Sequence, residues 1–287
     1  MNIKSLLSHR DQEPENGILY IVGTPIGNLS DISFRAINIL KKVNLILCED
    51  TRQTKKLLKK YQFTNNLISF NKNNFYNKIP KIIDDLKNLK SIALVSDAGM
   101  PSICDPGEEL VKEIRKNGFE AICIPGPSAA LTALVASGFP SSNFIFEGFL
   151  PQKNKLREKI LKEISQNIKT TILFESPHRL QKLFKELKEY CGGSREIFIS
   201  REMTKKFEEN IHTNINEVLE LFEKKVIQGE FTILIKGIRK KIEDNYSEAD
   251  IKNELHELVK AGLSLSSASK YLAKKKNISK RSVYNLY

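Results

Sequence analysis

Residues 91–107 form the stretch Ser-Ile-Ala-Leu-Val-Ser-Asp-Ala-Gly-Met-Pro-Ser-Ile-Cys-Asp-Pro-Gly. Its first five residues form an apolar run of strand length, and a helix is predicted to start near Gly107. The loop between them holds two glycines, two prolines and two aspartates. An ordinary strand-to-helix turn needs only one glycine or proline, so this composition favours a binding site over a simple connection. In an open α/β sheet, ligands bind beyond the carboxyl ends of strands, which is where this loop lies.

The same alternation of strand, loop and helix recurs along the first half of the chain. Further strands are predicted at 18–22, 44–48, 67–70 and 121–124. Such alternation is typical of a mostly parallel, doubly wound sheet. Between the first two strands, Ser30 or Asp31 is predicted to cap a helix that ends near Lys42.

Three of the loops are rich in glycine or proline and should meet at one edge of this sheet. They are 23–29, 97–107 and 125–129. The first loop matches neither the dinucleotide-binding nor the Walker A pattern, and Pro25 removes an N–H that a pyrophosphate would need. Glycines still allow the backbone to approach a ligand closely, so a nucleoside-type cofactor held by backbone groups suits the three loops.

The Pro125-Gly126-Pro127 break is the predicted joint between two α/β domains. The second domain is expected to hold a mixed sheet, because its strands are paired with fewer crossovers. A charged linker at 239–247 precedes three helical segments, and the last two resemble a helix-turn-helix nucleic-acid module. The predicted domains are 1–124, 125–240 and 247–287.

The net charge of +12 indicates a polyanionic partner such as nucleic acid. The alternative is a lysine-rich coding bias, because 36 of the 46 basic residues are lysines. The distribution favours a partner: residues 258–287 contain seven Lys or Arg and no Asp or Glu. A helical tail that only packs on the body is the competing interpretation.

The four cysteines and four histidines show no spacing typical of a metal site, so a metal enzyme is not expected. The cysteines are expected to be reduced. No apolar run reaches the length of about 18 residues that a membrane span needs, and residues 1–16 lack the apolar core of a signal peptide. We therefore expect a cytoplasmic protein that does not associate with membranes.

Six motifs follow one another along the chain and carry a specific resemblance. They are Gly-Thr-Pro-Ile-Gly-Asn-Leu from residue 23, Cys-Glu-Asp-Thr-Arg from 48, Val-Ser-Asp-Ala-Gly-Met-Pro from 95 with Asp-Pro-Gly from 105, Ile-Pro-Gly-Pro-Ser-Ala-Ala from 124, Phe-Glu-Gly-Phe-Leu-Pro from 146 and Phe-Glu-Ser-Pro-His-Arg from 174. Together they resemble the ribosomal small-subunit methyltransferase I family, within the tetrapyrrole-methylase-like class of S-adenosylmethionine enzymes. The resemblance runs from about residue 19 to 238, and the helical tail is similar to that family's C-terminal module.

The resemblance implies two α/β domains with S-adenosyl-L-methionine folded in the cleft between them, usually in a homodimer. It also implies 2′-O-methylation of a decoding-region cytidine ribose in 16S ribosomal RNA, within the assembled or assembling 30S subunit. The cofactor contacts would fall on Pro25, Gly27, Asp97, Gly99, Met100, Pro101, Gly126, Pro127, Ser128 and Ala129. Met100 takes a small-residue slot of its motif and would narrow the cleft, although methionine is adaptable.

A ribose hydroxyl is a poor nucleophile unless a base withdraws its proton. The candidates are Asp50, Glu49 and Glu175, and none is singled out. The opposing interpretation of the first two is a helix cap with a local ion pair to Arg52. Asp97 is expected to bind the cofactor rather than to act as the base. The expected contacts to RNA are Arg52, His178, Arg179, Lys274, Lys275, Lys280 and Arg281.

Two other functions use the same fold. One is methylation of a small tetrapyrrole or precorrin, which the basic tail disfavours because a small substrate needs no polyanion binder. The other is a non-catalytic RNA-binding protein, which the intact glycines of the three loops disfavour. Binding of S-adenosylmethionine would separate the last alternative from the enzymes.

Overall fold

The computed structural model describes residues 13–223, 227–238, 247–276 and 278–287. The chain divides into two compact units, Met1–Gly237 and Ile238–Tyr287. Both α/β sheets lie in the first unit and the C-terminal helices in the second. The predicted division at residues 124 and 125 stays a prediction. No helix within the described ranges is long and apolar enough to cross a bilayer.

The first sheet has five strands and confirms the predicted parallel, doubly wound architecture. The strands are β1 (Ile18–Val22), β2 (Leu45–Cys48), β3 (Leu67–Ser69), β4 (Ile92–Val95) and β5 (Glu120–Ile124). Their spatial order is β3-β2-β4-β1-β5, and each neighbouring pair is parallel. Strands β2 and β4 consist wholly of buried residues, which is why they appear in the sequence as continuous apolar runs. The carboxyl ends of all five strands therefore face one edge of the sheet.

Helices cover both faces of this sheet. They are α1 (Phe34–Lys42), α2 (Thr51–Lys60), α3 (Phe75–Lys87) and α4 (Glu108–Lys116). Ile39 of α1 packs into the core on one face, and Leu86 of α3 packs into the core on the other. The prediction of a helix cap at Ser30 or Asp31 is wrong. Those residues lie in a short 3-10 turn, and the Ser33 hydroxyl caps α1 by accepting from the Ala36 amide at 3.1 Å.

The second sheet is mixed, as predicted. Its elements are α5 (Ala129–Ser137), β6 (Phe144–Phe149), α6 (Asn154–Gln166), β7 (Thr170–Glu175), α7 (Pro177–Cys191), β8 (Glu196–Arg201), β9 (Glu209–Asn214), α8 (Ile215–Glu223) and β10 (Phe231–Ile235). The strand order is β6-β7-β10-β8-β9. Only β6 and β7 pair in parallel, and the register of β6 shifts between Phe146 and Gly148.

The C-terminal unit is a small bundle of α9 (Glu248–Lys260), α10 (Leu265–Lys276) and α11 (Lys280–Tyr284). Its core includes Leu255, Leu272 and Val283, so each helix contributes a buried face. The Ser279 hydroxyl caps α11 by accepting from the Ser282 amide at 3.0 Å. Asn277, between α10 and α11, lies outside the described residues.

Two lysines of the C-terminal unit have an acidic partner that the sequence pattern did not indicate. Glu254 of α9 forms ion pairs with Lys275 and with Lys276, the second at 2.7 Å. Residues 258–287 contain no acid of their own, but the bundle brings one to them from the preceding helix. Lys274, Lys280 and Arg281 are exposed and remain on the surface of the bundle.

Candidate functional site

The loop after β1 and the loop after β4 are joined by backbone hydrogen bonds. The Thr24 amide donates to the Gly99 carbonyl at 2.9 Å, and the Gly99 amide donates to the Thr24 carbonyl at 3.1 Å. The buried Thr24 hydroxyl also donates to the Ser96 carbonyl at 3.2 Å. Gly99 has φ +77°, a left-handed conformation that favours glycine. The two loops therefore form one rigid surface.

The loop after β5 packs against the first loop through a pair of glycines. A Cβ built on Gly126 would lie 2.7 Å from the Gly23 Cα, closer than real Cβ contacts come. A Cβ on Gly23 would in turn lie 2.6 Å from the Met100 sulfur. These glycines are needed because three loops meet where side chains do not fit. The predicted convergence of the three loops at one sheet edge is thus present.

A cavity of about 380 Å³ lies between these loops and the second sheet. That volume falls in the range of sites for small molecules and cofactors. Seven residues singled out from the sequence line it: Glu49, Asp97, Gly99, Met100, Ser128, Ala129 and Glu175. Nine others do not line it: Pro25, Gly27, Asp50, Arg52, Pro101, Gly126, Pro127, His178 and Arg179.

Some residues outside the lining hold the site together instead. Gly126 has no side chain, which lets the first loop pack closely against the third. Gly27 faces the connection between β8 and β9, since a Cβ there would lie 2.7 Å from the Thr204 hydroxyl. The neighbouring Asn28 amide donates to that hydroxyl at 2.9 Å. The first loop is therefore bound to the second sheet, and Gly27 supports the cavity from outside.

Several lining residues were not singled out from the sequence. They are Ile26, Ala98, Ile103, Cys104, Asp105, Phe149, Phe174, Ser176, Pro177, Gly229, Glu230, Phe231 and Thr232. Phe149 and Phe174 belong to two of the six motifs, and their ring centroids lie 5.7 Å apart in an edge arrangement. Their positions within these motifs could have identified them as site residues from the sequence. Residues 229–232 could not be identified from the local sequence, because they reach the cavity through the antiparallel pairing of β10 with β7.

Carboxyl groups are concentrated around this cavity although the protein as a whole is basic. Glu49, Asp97, Asp105, Glu175 and Glu230 all line it. Burial and the nearby Glu49 raise the pKa of Asp105 to about 6. Burial and Asp97 also raise the pKa of Glu49. Across the part of the chain that the structure describes, no group of three or more His, Cys, Asp or Glu is placed to hold a metal ion.

Asp50 is committed to its own helix. Its carboxylate caps α2 by accepting from the Arg52 amide at 2.8 Å and pairs with the Arg52 guanidinium at 2.7 Å. These hydrogen bonds lower the pKa of Asp50 to about 2. Such an acid is a weak proton acceptor, so the geometry favours the helix-cap interpretation of Asp50 and Arg52 over the catalytic one.

Glu175 lies at the centre of a buried ion-pair network. Its Oε1 is 3.2 Å from the Arg179 Nε, and its Oε2 is 3.8 Å from an Arg157 nitrogen. Arg157 is 3% exposed and makes a bidentate pair with Glu186, with a shortest distance of 2.6 Å. Arg179 also donates to the Leu150 carbonyl at 2.5 Å. This arrangement disfavours Glu175 as a base and Arg179 as a phosphate contact, whereas His178 is exposed.

The lining suits a cationic nucleoside derivative. Aromatic and aliphatic side chains such as Phe149, Phe174 and Met100 offer apolar surface to a base or ribose. The carboxylates of the wall favour a positive charge. Glu175 contributes less to this wall, because its buried Oε2 has no hydrogen-bond partner among the described residues and lies 3.8 Å from an Arg157 nitrogen.

Comparisons with known proteins agree with this geometry. Residues 18–219 match the family model described as Tetrapyrrole (Corrin/Porphyrin) Methylases. Among solved structures, a cobalt precorrin-4 methyltransferase superposes with a TM-score of 0.60 at 17% identity, over 77% of this chain and 95% of that one. A diphthine synthase superposes with the same TM-score of 0.60 at 13% identity, over 76% of this chain and 90% of that one. At these identities the solved structures show the fold alone.

Curated relatives are much closer in sequence. Proteins named ribosomal RNA small subunit methyltransferase I from Halalkalibacterium halodurans and Bacillus subtilis are 40% and 42% identical. The first match covers 96% of both chains and the second covers 94% of both. The protein of the same name from Thermotoga maritima is 48% identical over 221 residues, which are 77% of this chain but 99% of that one.

Proposed function

The chain belongs to the ribosomal RNA small subunit methyltransferase I family, on the tetrapyrrole methylase fold, and we propose that it methylates the ribose 2′-oxygen of a decoding-region cytidine in 16S ribosomal RNA. S-adenosyl-L-methionine is the proposed methyl donor. The observation that carries the proposal is the acidic, part-aromatic cavity where the three glycine-rich loops meet. The acidic cavity favours a cationic cofactor, whereas the net charge of +12 on the whole protein favours a polyanionic substrate.

The cavity residues divide into three groups for holding the donor. The backbone at Gly99 and Ala129 can approach the donor closely because these two residues carry no bulky side chain. Phe149 and Phe174 offer faces and edges to the adenine, and the Asp97 carboxylate favours the sulfonium and ammonium charges. When bound, S-adenosylmethionine supplies an electrophilic methyl group. The chain's own task is to orient the ribose oxygen toward it and to exclude water.

The proposed RNA contacts fall mainly on the C-terminal unit. Lys274, Lys280 and Arg281 are exposed there, whereas Lys275 pairs with Glu254. Exposed cations bind phosphates without reading sequence, so this unit should add affinity rather than specificity. The assembled or assembling 30S subunit is the proposed substrate, which would place the activity in the cytoplasm.

We also propose a homodimer. Leu131 and Val135 lie one turn apart on α5 and are 51% and 82% exposed. Strand β6 is at the edge of its sheet and exposes Phe144. Apolar residues at a helix surface and along an edge strand are typical of faces that a partner covers. Sedimentation equilibrium measures the mass in solution, and a monomer at micromolar concentration would contradict this part of the proposal.

The tetrapyrrole alternative has less support. A precorrin methyltransferase shares the fold at 17% identity, whereas the relatives at 37–48% identity are named as ribosomal RNA methyltransferases. The decisive experiment incubates the protein with methyl-labelled S-adenosylmethionine and 30S subunits and maps 2′-O-methylcytidine by mass spectrometry. Label in the decoding-region cytidine is expected. Calorimetry with S-adenosylmethionine should show binding in the micromolar range, and its absence would favour a non-catalytic RNA-binding protein.

A further inference from the structure

The proposed reaction needs a group that accepts the proton of the ribose 2′-hydroxyl. Five carboxyl groups line the cavity, and Asp50 lies just outside it. We propose that Asp105, on the loop between β4 and α4, is this proton acceptor. The inference rests on the proposed function and adds a catalytic residue to it.

The contacts of the other acids separate them from Asp105. Asp97 Oδ1 accepts a hydrogen bond of 3.0 Å from the Asp50 amide, which fixes that carboxylate. Asp50 is occupied by Arg52, and Glu175 lies between Arg157 and Arg179. Glu230 is paired with Lys205 at 3.0 Å. A carboxylate that is paired with a cation must give up that ion pair when it accepts a proton, so these acids are disfavoured as the proton acceptor.

Glu49 and Asp105 remain, and neither has a hydrogen bond or ion pair with another residue that the structure describes. Asp105 differs from Glu49 in the backbone that carries it. Ser102 and Cys104 just before it have φ +70° and +65°, conformations that L-residues rarely adopt and that cluster at functional sites. The Cys104 sulfur fills the space above Gly148, where a Cβ would be only 2.8 Å away. The loop is thereby anchored on β6, across the cavity from its own sheet.

The surroundings of Asp105 suit a proton acceptor near neutral pH. Burial raises the pKa of Asp105 most. Glu49 at the end of β2 and Asp97 on the same loop raise it further, while Lys72 after β3 opposes them. The thiol of Cys104 is adjacent, and burial raises the pKa of that thiol, so it stays neutral. Glu175 and Glu230 lie on the opposite wall. A carboxyl that titrates near neutrality both ionises in the cell and binds the proton well.

The 2′-oxygen forms a bond to the methyl carbon while the carbon–sulfur bond breaks with its electron pair onto sulfur, and the hydroxyl proton passes to the Asp105 carboxylate. Asp105 ends as a neutral carboxylic acid and returns the proton to solvent before the next turnover. No oxidant, reductant or metal takes part.

The test compares Asp105→Asn with wild-type protein on 30S subunits. We expect kcat to fall by at least about 100-fold, the usual effect of losing a general base, while the Kd for S-adenosylmethionine changes by less than about threefold. The wild-type kcat should rise with pH through about 6 and then level off, and this rise should be absent from the residual activity of the variant. Glu108→Gln is the matched control, because it removes an exposed acid three residues away and should change neither quantity.

A second measurement does not depend on turnover. Carbon-13 NMR of labelled aspartate carboxyls in the free protein should show Asp105 titrating near pH 6, and Glu49→Gln should shift that titration to lower pH. The inference is overturned if Asp105→Asn keeps kcat within about threefold with the same pH rise, or if Asp105 titrates at its ordinary pKa. A wild-type protein that binds S-adenosylmethionine but methylates no RNA would contradict the proposed function itself.

Discussion

The backbone amide of Asp50 donates a 3.0 Å hydrogen bond to Oδ1 of Asp97. The two residues follow β2 and β4, which are neighbours in the first sheet. This bond joins the loop that begins α2 to the loop that lines the cavity. Both aspartates therefore stabilise the edge of the sheet, and the acid free to react lies further along the second loop.

Replacing Gly126 with alanine should separate the first and third loops. The added Cβ would lie 2.7 Å from the Gly23 Cα, and backbone cannot yield as a flexible side chain does. We expect the affinity for S-adenosylmethionine to fall more than about tenfold, measured by calorimetry. Gly138→Ala is the control: it meets no atom within 4 Å but has φ +66°, so it should cost about 1 kcal/mol of stability and leave affinity unchanged. Equal affinity in both variants would contradict the close packing of these loops.

Asp105 should make folding stability depend on pH. Its pKa of about 6 lies above the ordinary 3.8, so the unfolded chain ionises first as the pH rises. The favourable contribution of the protonated form is complete below pH 3.8 and is lost as the pH rises through 6. Asp105→Asn should thus be more stable than wild type at pH 8 by about 1 kcal/mol, since water partly screens a half-buried carboxylate. At pH 4 the two should be nearly equal, as urea unfolding at both pH values would show.

Removing Arg157 should destabilise the second sheet. Arg157→Met keeps most of the side-chain volume but leaves the carboxylates of Glu175 and Glu186 without their shared cation. We expect the free energy of unfolding to fall by about 3 kcal/mol, because breaking a buried pair strands a charge. Lys159→Met on the same helix removes an exposed cation and should cost less than about 0.5 kcal/mol. A loss for Arg157→Met as small as that of Lys159→Met would show that the buried network contributes little.

Deleting residues 238–287 should weaken binding to RNA without stopping catalysis. These residues form a compact unit with its own core, so the first unit should fold without them. We expect a higher Kd for 30S subunits and a smaller slope of log Kd against log salt, because fewer phosphate contacts release fewer counterions. At saturating substrate, kcat should stay within about threefold of the full chain. An unchanged salt slope would mean that the unit makes no phosphate contacts.

Much of the candidate site follows from local sequence because the first sheet is parallel. Parallel strands end at one edge, so the loops at 23–29, 97–107 and 125–129 had to meet there. The mixed second sheet follows equally from its paired strands. The wrong helix cap shows what local sequence could not determine. Ser30, Asp31 and Ser33 all have side chains that can cap a helix. The backbone is extended at Ile32, so α1 begins after it and is capped by Ser33.

Contacts between residues that are distant in sequence could not be predicted from local sequence patterns. Arg52 and Asp50 pair as neighbours in sequence and could be anticipated, whereas Glu254 reaches Lys275 across 21 residues. The same holds for the residues beside β10, which enter the cavity through antiparallel pairing with β7. Asp105 lies in the loop at 97–107, yet its proposed role depends on Glu49 and on the contact of Cys104 with Gly148, which are distant in sequence.

The reciprocal hydrogen bonds of Thr24 and Gly99 have an energetic consequence for any ligand of this cavity. A loop that is mobile before binding must lose conformational entropy when it closes on a ligand, and that loss is subtracted from the affinity. Here the ordering occurs when the sheet folds, and the bound and free loops should have nearly the same shape. Affinity should consequently respond more to changes in loop backbone than to the loss of any single polar contact.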